Sequence, residues 1–283
     1  MSAPNATMTL AVAQNRGAEQ NALGRWWARN WHPVVFVIAL VIVWWVVTAL
    51  KWVQPYIIPS PGDTWAAFAN NAAYLAQHTW VTTYETIVGF VIAVVVGLFV
   101  AVIMVYSRGL EQTLYPVILF AQVIPKIAIA PLFIVWLGFG TSPKILVAVL
   151  MAFFPVVISG LAGLRSVDPE ILQLTSTMGA GRFKTFLKVR LPAALPELLS
   201  GLKVAATLAV TGAVVGEFVG ANEGLGYVIL QANGNLDTAM LFAALIIMSL
   251  MGVLLFAIIQ IAERFLIPWH ASKRDVAAAT VRL

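Results

Sequence analysis

The sequence predicts an all-α, polytopic membrane protein of six transmembrane helices, with an N-terminal interfacial helix and a cytoplasmic helical hairpin between the fourth and fifth spans. Three observations carry this. Hydrophobic residues make up 61% of the 283 and charged residues only 10%, a balance that belongs in a bilayer. The apolar residues gather into six runs, most of them near the ~20 residues a helix needs to cross a membrane. Lys and Arg lie in the short segments between runs and on one side: thirteen there, Lys51 and Lys144 on the other, and Lys126 and Lys203 within spans. Because basic loops stay inside, both termini and the hairpin are expected in the cytoplasm.

Taken in order, residues 1–17 are polar or small and read as a disordered cytoplasmic N-terminus, without the apolar core of a cleavable signal. Residues 18–32 mix Trp26, Trp27 and Trp31 with Arg25 and Arg29, a composition suited to a helix lying in the headgroup region. The six-span domain is expected over 33–268. Its first span runs from Pro33 to about Leu50. An external segment over 51–80 follows, with a turn and helix start at PSPGDTW (Pro59 to Trp65) and helix over 66–77. The second span is placed at about 83–105, where Gly89 and Gly97 permit close helix approach. The third stretch, 110–137, contains Pro116, Pro125 and Pro131 and must be kinked or broken. Span four is expected over 144–164, span five over about 195–219, and span six over 238–267 after a Gly-rich external loop at 220–235. A cytoplasmic tail, 269–283, ends the chain.

The longest polar interruption, 165–194, has the grammar of a hairpin. Asp168 can cap a helix, Pro169 suits its first position and Glu170 complements its dipole. That helix is expected to end near Met178, because Gly179, Ala180 and Gly181 permit a left-handed turn. A second helix from Arg182 is expected to stop at Pro192. Ile171, Leu174 and Met178 share one face of the first helix, and Phe183, Phe186 and Leu187 one face of the second. Apolar residues turned outward in the cytoplasm form a plug for a partner's groove.

Four charges fall within expected spans: Glu85, Lys126, Lys203 and Glu217. Each should face the bundle interior or water, since an ionisable group in hydrocarbon costs ~2.5–3.5 kcal/mol on insertion scales. Lys126, directly after Pro125, and Glu217 are the leading candidates for a solute path, with Glu85 and Trp136 beside them; Glu217, among the small residues of GAVVGEFVGANEGLG, also suits a structural hydrogen-bonding role, and Lys203 and Glu85 suit structural pairing near the ends of their spans. With no cysteine, disulfide, iron–sulfur and thiol chemistry are excluded, and the scattered His32, His78 and His270 do not suggest a metal site. No phosphate-binding loop, HExxH or GxSxG occurs, so neither a cofactor nor a catalytic residue is expected in this chain.

The spacing of Gly179 with Val189, Leu191 and Pro192 resembles the signature loop of permease subunits in binding-protein-dependent ABC importers. In that family a Glu-Ala-Ala opens the loop six residues before the glycine; this chain has Gln173-Leu174-Thr175 there. The resemblance implies that Ile171, Leu174, Thr175, Met178, Gly179, Ala180, Phe183 and Phe186 couple the chain to an ATPase. It implies, as partners, an ABC ATPase dimer that binds the ATP and Mg, an external substrate-binding protein and a second permease copy, all working at the inner membrane. Stretches such as TTYETIVGF, IPKIAIAPLFIVWLGFG and KVAATLAVTGAVVGEFVGANEGLGY place the likeness in the nitrate, sulfonate and taurine branch, nearest its riboflavin and hydroxymethylpyrimidine (thiamine-precursor) members. Import of nitrate, taurine or an alkanesulfonate is the alternative. A secondary transporter should instead show inverted repeats, and a membrane-embedded enzyme converging His, Asp or Glu; the sequence shows neither.

Overall fold

Small residues decide where the long helices meet. The computed structural model describes Trp31 and residues 34–268, and within them the elements are α1 (Val34–Ala49), α2 (Pro61–Asn70), α3 (Ala72–Tyr106), α4 (Arg108–Val123), α5 (Lys126–Leu137), α6 (Thr141–Arg165), α7 (Pro169–Thr177), α8 (Arg182–Thr185), a π-turn (Phe186–Arg190), α9 (Leu191–Gly220), α10 (Leu225–Gly234) and α11 (Thr238–Leu266). Among the described residues there is no strand. The expected N-terminal segment, the interfacial helix except Trp31, and the tail after residue 268 lie outside the described residues.

The chain divides into two compact units that meet in sequence at Trp65 and Ala66. In the first, the Trp44 indole donates to the Pro59 carbonyl at 2.9 Å, and Ser60 and Asp63 form a reciprocal capping box that starts α2 where the PSPGDTW turn was expected. In the second, α6 lies against both α3 and α9. A Cβ added at Gly89 would come within 2.6 Å of Ala148, and one at Gly97 within 2.8 Å of Val156, so these two glycines let α3 and α6 touch. Buried Ala93, Ala152, Val156, Ala205 and Ala209 fill the seam where α3, α6 and α9 converge.

Among the described residues, four helices are long and apolar enough to cross a membrane: α3, α6, the continuous run Arg182–Gly220, and α11. The α4–α5 pair counts as a fifth if one span can bend by 97°, as expected from its prolines. Only Pro125 makes the break; Pro116 and Pro131 sit inside helices. The expected first span is the shorter apolar helix α1, roughly 24 Å long at 1.5 Å per residue.

Three sequence-based boundaries are corrected. Residues 66–77 are helical as expected except at Asn71, but the second span does not begin afresh near 83: α2 ends at Asn70, and α3 runs unbroken for 35 residues from Ala72, because its polar residues find partners inside the bundle and on their own turns, as Thr79 and Thr83 do with the carbonyls four residues back. The loop 220–235 contains a ten-residue helix, α10. Pro192 does not stop the hairpin's second helix. The π-turn lets the Leu191 N–H reach the Phe186 carbonyl, five residues back, so that proline enters at the start of α9 without leaving a broken ladder.

Candidate functional site

The two ends of the bundle carry different chemistry, and each gathers part of the expected site. At the hairpin end, α7 begins at Asp168, whose carbonyl accepts from Ile171 and Leu172. Its carboxylate makes no capping bond, contrary to expectation: the position caps, the side chain does not. After Thr177 the chain closes a Schellman motif. Ala180 N–H donates to Thr175 O and Gly179 N–H to Ser176 O, both at 3.0 Å, and Gly179 takes φ +74°. A residue with a Cβ is disfavoured at that angle, and no other group crowds the position.

This turn divides the expected coupling residues. Ile171, Leu174, Met178 and Phe183 are exposed, the last two at 75% and 74%. Thr175 and Ala180 are half-buried and line a cavity of about 350 Å³ with Val105, Leu172, Arg182 and Arg190. Phe186 turns back to Tyr106, ring centroids 6.3 Å apart. Val189, Leu191 and Pro192 are half-buried where the π-turn joins α9. The base of the hairpin is tied down: Arg165 pairs with Glu111, and Arg190 donates to the Leu164 carbonyl at 3.4 Å while stacking over Tyr106. A fastened base beneath an apolar tip is a rigid projection that a complementary groove could grip.

The four candidate path residues do not gather at one point: Glu85 and Glu217 meet beside Lys144, and Lys126 and Trp136 lie at the two ends of α5. Lys126 is half-buried at the α4–α5 bend, its ammonium bonded to the Gln122 carbonyl and 5.0 Å from the centre of the Phe154 ring. Trp136 is 68% exposed near the end of α5, against Phe133. Glu85 and Glu217 are wholly buried elsewhere in the bundle. Lys144 lies 2.9 Å from Glu85 Oε1 and forms an ion pair with it. Glu217 Oε1 accepts from Thr82 at 2.7 Å, and its Oε2 from the Gly226 N–H. Lys203 pairs with Glu263 at 2.5 Å, as a structural reading of Lys203 requires.

Sequence reasoning missed His78, Thr82, Lys144 and Glu263 in these roles. Lys144 reads as a loop cation that sets orientation, yet it is buried on α6. His78 and Thr82 meet Gly224 and Leu225 across 146 and 143 residues, a pairing that no local pattern signals.

Long apolar helices around a small-residue seam, with one fastened, apolar-tipped hairpin between two of them, define a multi-pass membrane subunit built to engage a partner. The family model described as "Binding-protein-dependent transport system inner membrane component" matches residues 93–269, and the chain belongs to that family. A probable ABC transporter permease protein of Haemophilus influenzae is 39% identical over 83% of this chain and 96% of its own length. The formylaminopyrimidine transport permease ThiX of Halalkalibacterium halodurans is 35% identical over 84% of this chain and 96% of its own length. The riboflavin transport system permease RibX of Chloroflexus aurantiacus is 36% identical over 87% and 92%. A chain of the inward-facing MetNI methionine ABC transporter shares the fold, with TM-score 0.61 and 22% identity over 68% of this chain and 95% of that one. The chain is therefore an inner-membrane permease subunit of an ABC importer; an ATPase partner hydrolyses the ATP, and a substrate-binding protein delivers the solute.

Proposed function

We propose that this permease passes a small heteroaromatic vitamin or vitamin precursor, riboflavin or a thiamine pyrimidine, from an external binding protein to the cytoplasm by alternating access. The observation that carries the substrate class is identity of 35% and 36%, over most of both chains, to permeases named for formylaminopyrimidine and riboflavin transport. Two copies, or this chain and a close homologue, form the pathway, and each hairpin docks on one ATPase through Ile171, Leu174, Met178 and Phe183. The termini and hairpin face the cytoplasm, a reading the distribution of Lys and Arg supports. ATP and Mg bind the ATPase pair; its closure moves the hairpins, and the difference in affinity between nucleotide states supplies the energy.

Lys126 and Trp136 are the better-placed solute-path residues of the four, being the ones not sealed inside the bundle. Lys126 also supports a second reading, import of an anion such as an alkanesulfonate, taurine or nitrate, for which a cation at a break in a span is a fitting transient partner. Uptake into proteoliposomes holding the complete complex separates the readings. Energised accumulation of a formylaminopyrimidine or riboflavin, with none of taurine, alkanesulfonate or nitrate, is expected; the reverse selectivity would replace the first reading with the second.

A further inference from the structure

The connection between α9 and α10 is bonded to other helices more heavily than an external loop requires. Gly224 N–H donates to His78 Nδ1 at 2.9 Å, Leu225 N–H to Thr82 Oγ at 2.7 Å, and Gly226 N–H to Glu217 Oε2. These groups lie at the start of α10, where a helix has no partners of its own to offer. Thr82 in turn donates to Glu217 Oε1, which ties α3 to α9. The fit leaves no room for a ligand: a Cβ on Gly224, which holds φ +110°, would lie 2.1 Å from Glu217 Oε1, and one on Gly226 2.8 Å from Glu217 Cβ. At the far end of α10, the Tyr74 hydroxyl donates to Gln231 Oε1 at 2.8 Å. Its apolar face, Leu225, Val228 and Ile229, packs with Leu75 of α3 and with Ala243 and Ala244 of α11.

We propose that Glu217 is a positioning residue: its carboxylate, with Thr82 and His78, latches α10 to α3 and α9 so that these elements move as one body through the transport cycle. Solute does not meet this carboxylate. The latch follows from the contacts around α10 and does not depend on which solute is carried.

The test uses the complete importer complex with Val228→Cys introduced into the otherwise cysteine-free chain, since Val228 is only 1% exposed. With Glu217 intact, the thiol should resist a maleimide both at rest and during ATP turnover. Glu217→Ala should speed labelling about tenfold or more, the scale of one lost charge-assisted hydrogen bond. It should lower the maximal transport rate comparably while leaving unchanged the concentration of loaded binding protein that gives half-maximal rate. Glu217→Gln, which keeps the shape and one acceptor, should recover part of both losses, and Thr82→Val should reproduce part of them. If Glu217→Ala does not assemble, Thr82→Val and Glu217→Gln, which leave the packing nearly intact, decide by the same two readouts. Labelling of the intact-latch protein during turnover would overturn the proposal, as would transport lost while the thiol stays protected, which is the signature of a solute contact.

Discussion

The α10 end of the bundle buries polar groups, whereas the hairpin end exposes apolar ones; each inverts the usual rule, and for opposite reasons. Around Glu85, Lys144 and Glu217, charges are sealed from both water and lipid, and most are neutralised or bonded within the chain itself. Such a cluster is expensive to disturb and well suited to fixing one arrangement. At the other end, Met178 and Phe183 stand free on a turn whose base is fastened by Arg165 and Arg190. Exposed apolar surface of this kind suits the docking role proposed for the hairpin. On the proposed function, one end provides internal cohesion and the other transmission.

The strongest way to break it is to remove the cation at the buried end. Lys144→Met leaves Glu85 without its partner and takes from Glu217 an opposite charge that acts on it. A loss of about 3–5 kcal/mol is expected, enough to deplete assembled protein in the membrane. Adding Glu85→Gln should restore much of that yield, since it removes the carboxylate the lysine neutralised; a double variant no better than the single would show that Lys144 acts through other contacts.

Gly179→Val probes the hairpin end with a smaller intrinsic effect. Forcing a β-branched residue to φ +74° costs on the order of 1–3 kcal/mol, and that strain is expected to tilt the apolar tip without preventing insertion. The variant should be recovered in the membrane yet show weak ATPase association, or hydrolysis that no longer responds to loaded binding protein. Normal coupling would reduce Gly179 to a turn residue.

How much of this contrast was legible in the sequence follows from how local each signal is. The hairpin was readable because a Schellman turn needs a glycine at one position, and the α4–α5 bend because Pro125 announces a break beside itself. Gly89 and Gly97 likewise advertised a close helix approach, though not that α6 is the partner. Pro192 misled because a π-turn, invisible to a 3.6-residue pattern, lets the helix run through it. The buried end was largely illegible: Glu217 meets Thr82 across 135 residues, and Lys144 gives the same signal whether it marks a loop or neutralises a carboxylate. Gly224 and Gly226 read as part of a Gly-rich external loop, whereas the structure uses them to bring backbone N–H groups against His78 and Glu217.

Lys126 gives the mildest sharpening of the contrast, because its ammonium is held by one carbonyl and a ring face rather than by a carboxylate. Lys126→Met should leave complex yield within about 1 kcal/mol of wild type, as expected where no charged partner is stranded, while transport measured on the same preparation falls further. Parallel loss of both would move Lys126 from the solute path to the structural group.

Coupling through the apolar tip is the central claim, and thiol protection tests it most directly. Single cysteines can replace Met178, Phe183 and, as a control on the other side, Asn233 without background from native thiols. In inside-out vesicles an impermeant maleimide is expected to label Met178→Cys and Phe183→Cys but not Asn233→Cys; adding the ATPase subunit should protect both hairpin thiols. Hairpin thiols that label equally with and without bound ATPase, or an Asn233→Cys thiol that alone is reached in those vesicles, would contradict the account.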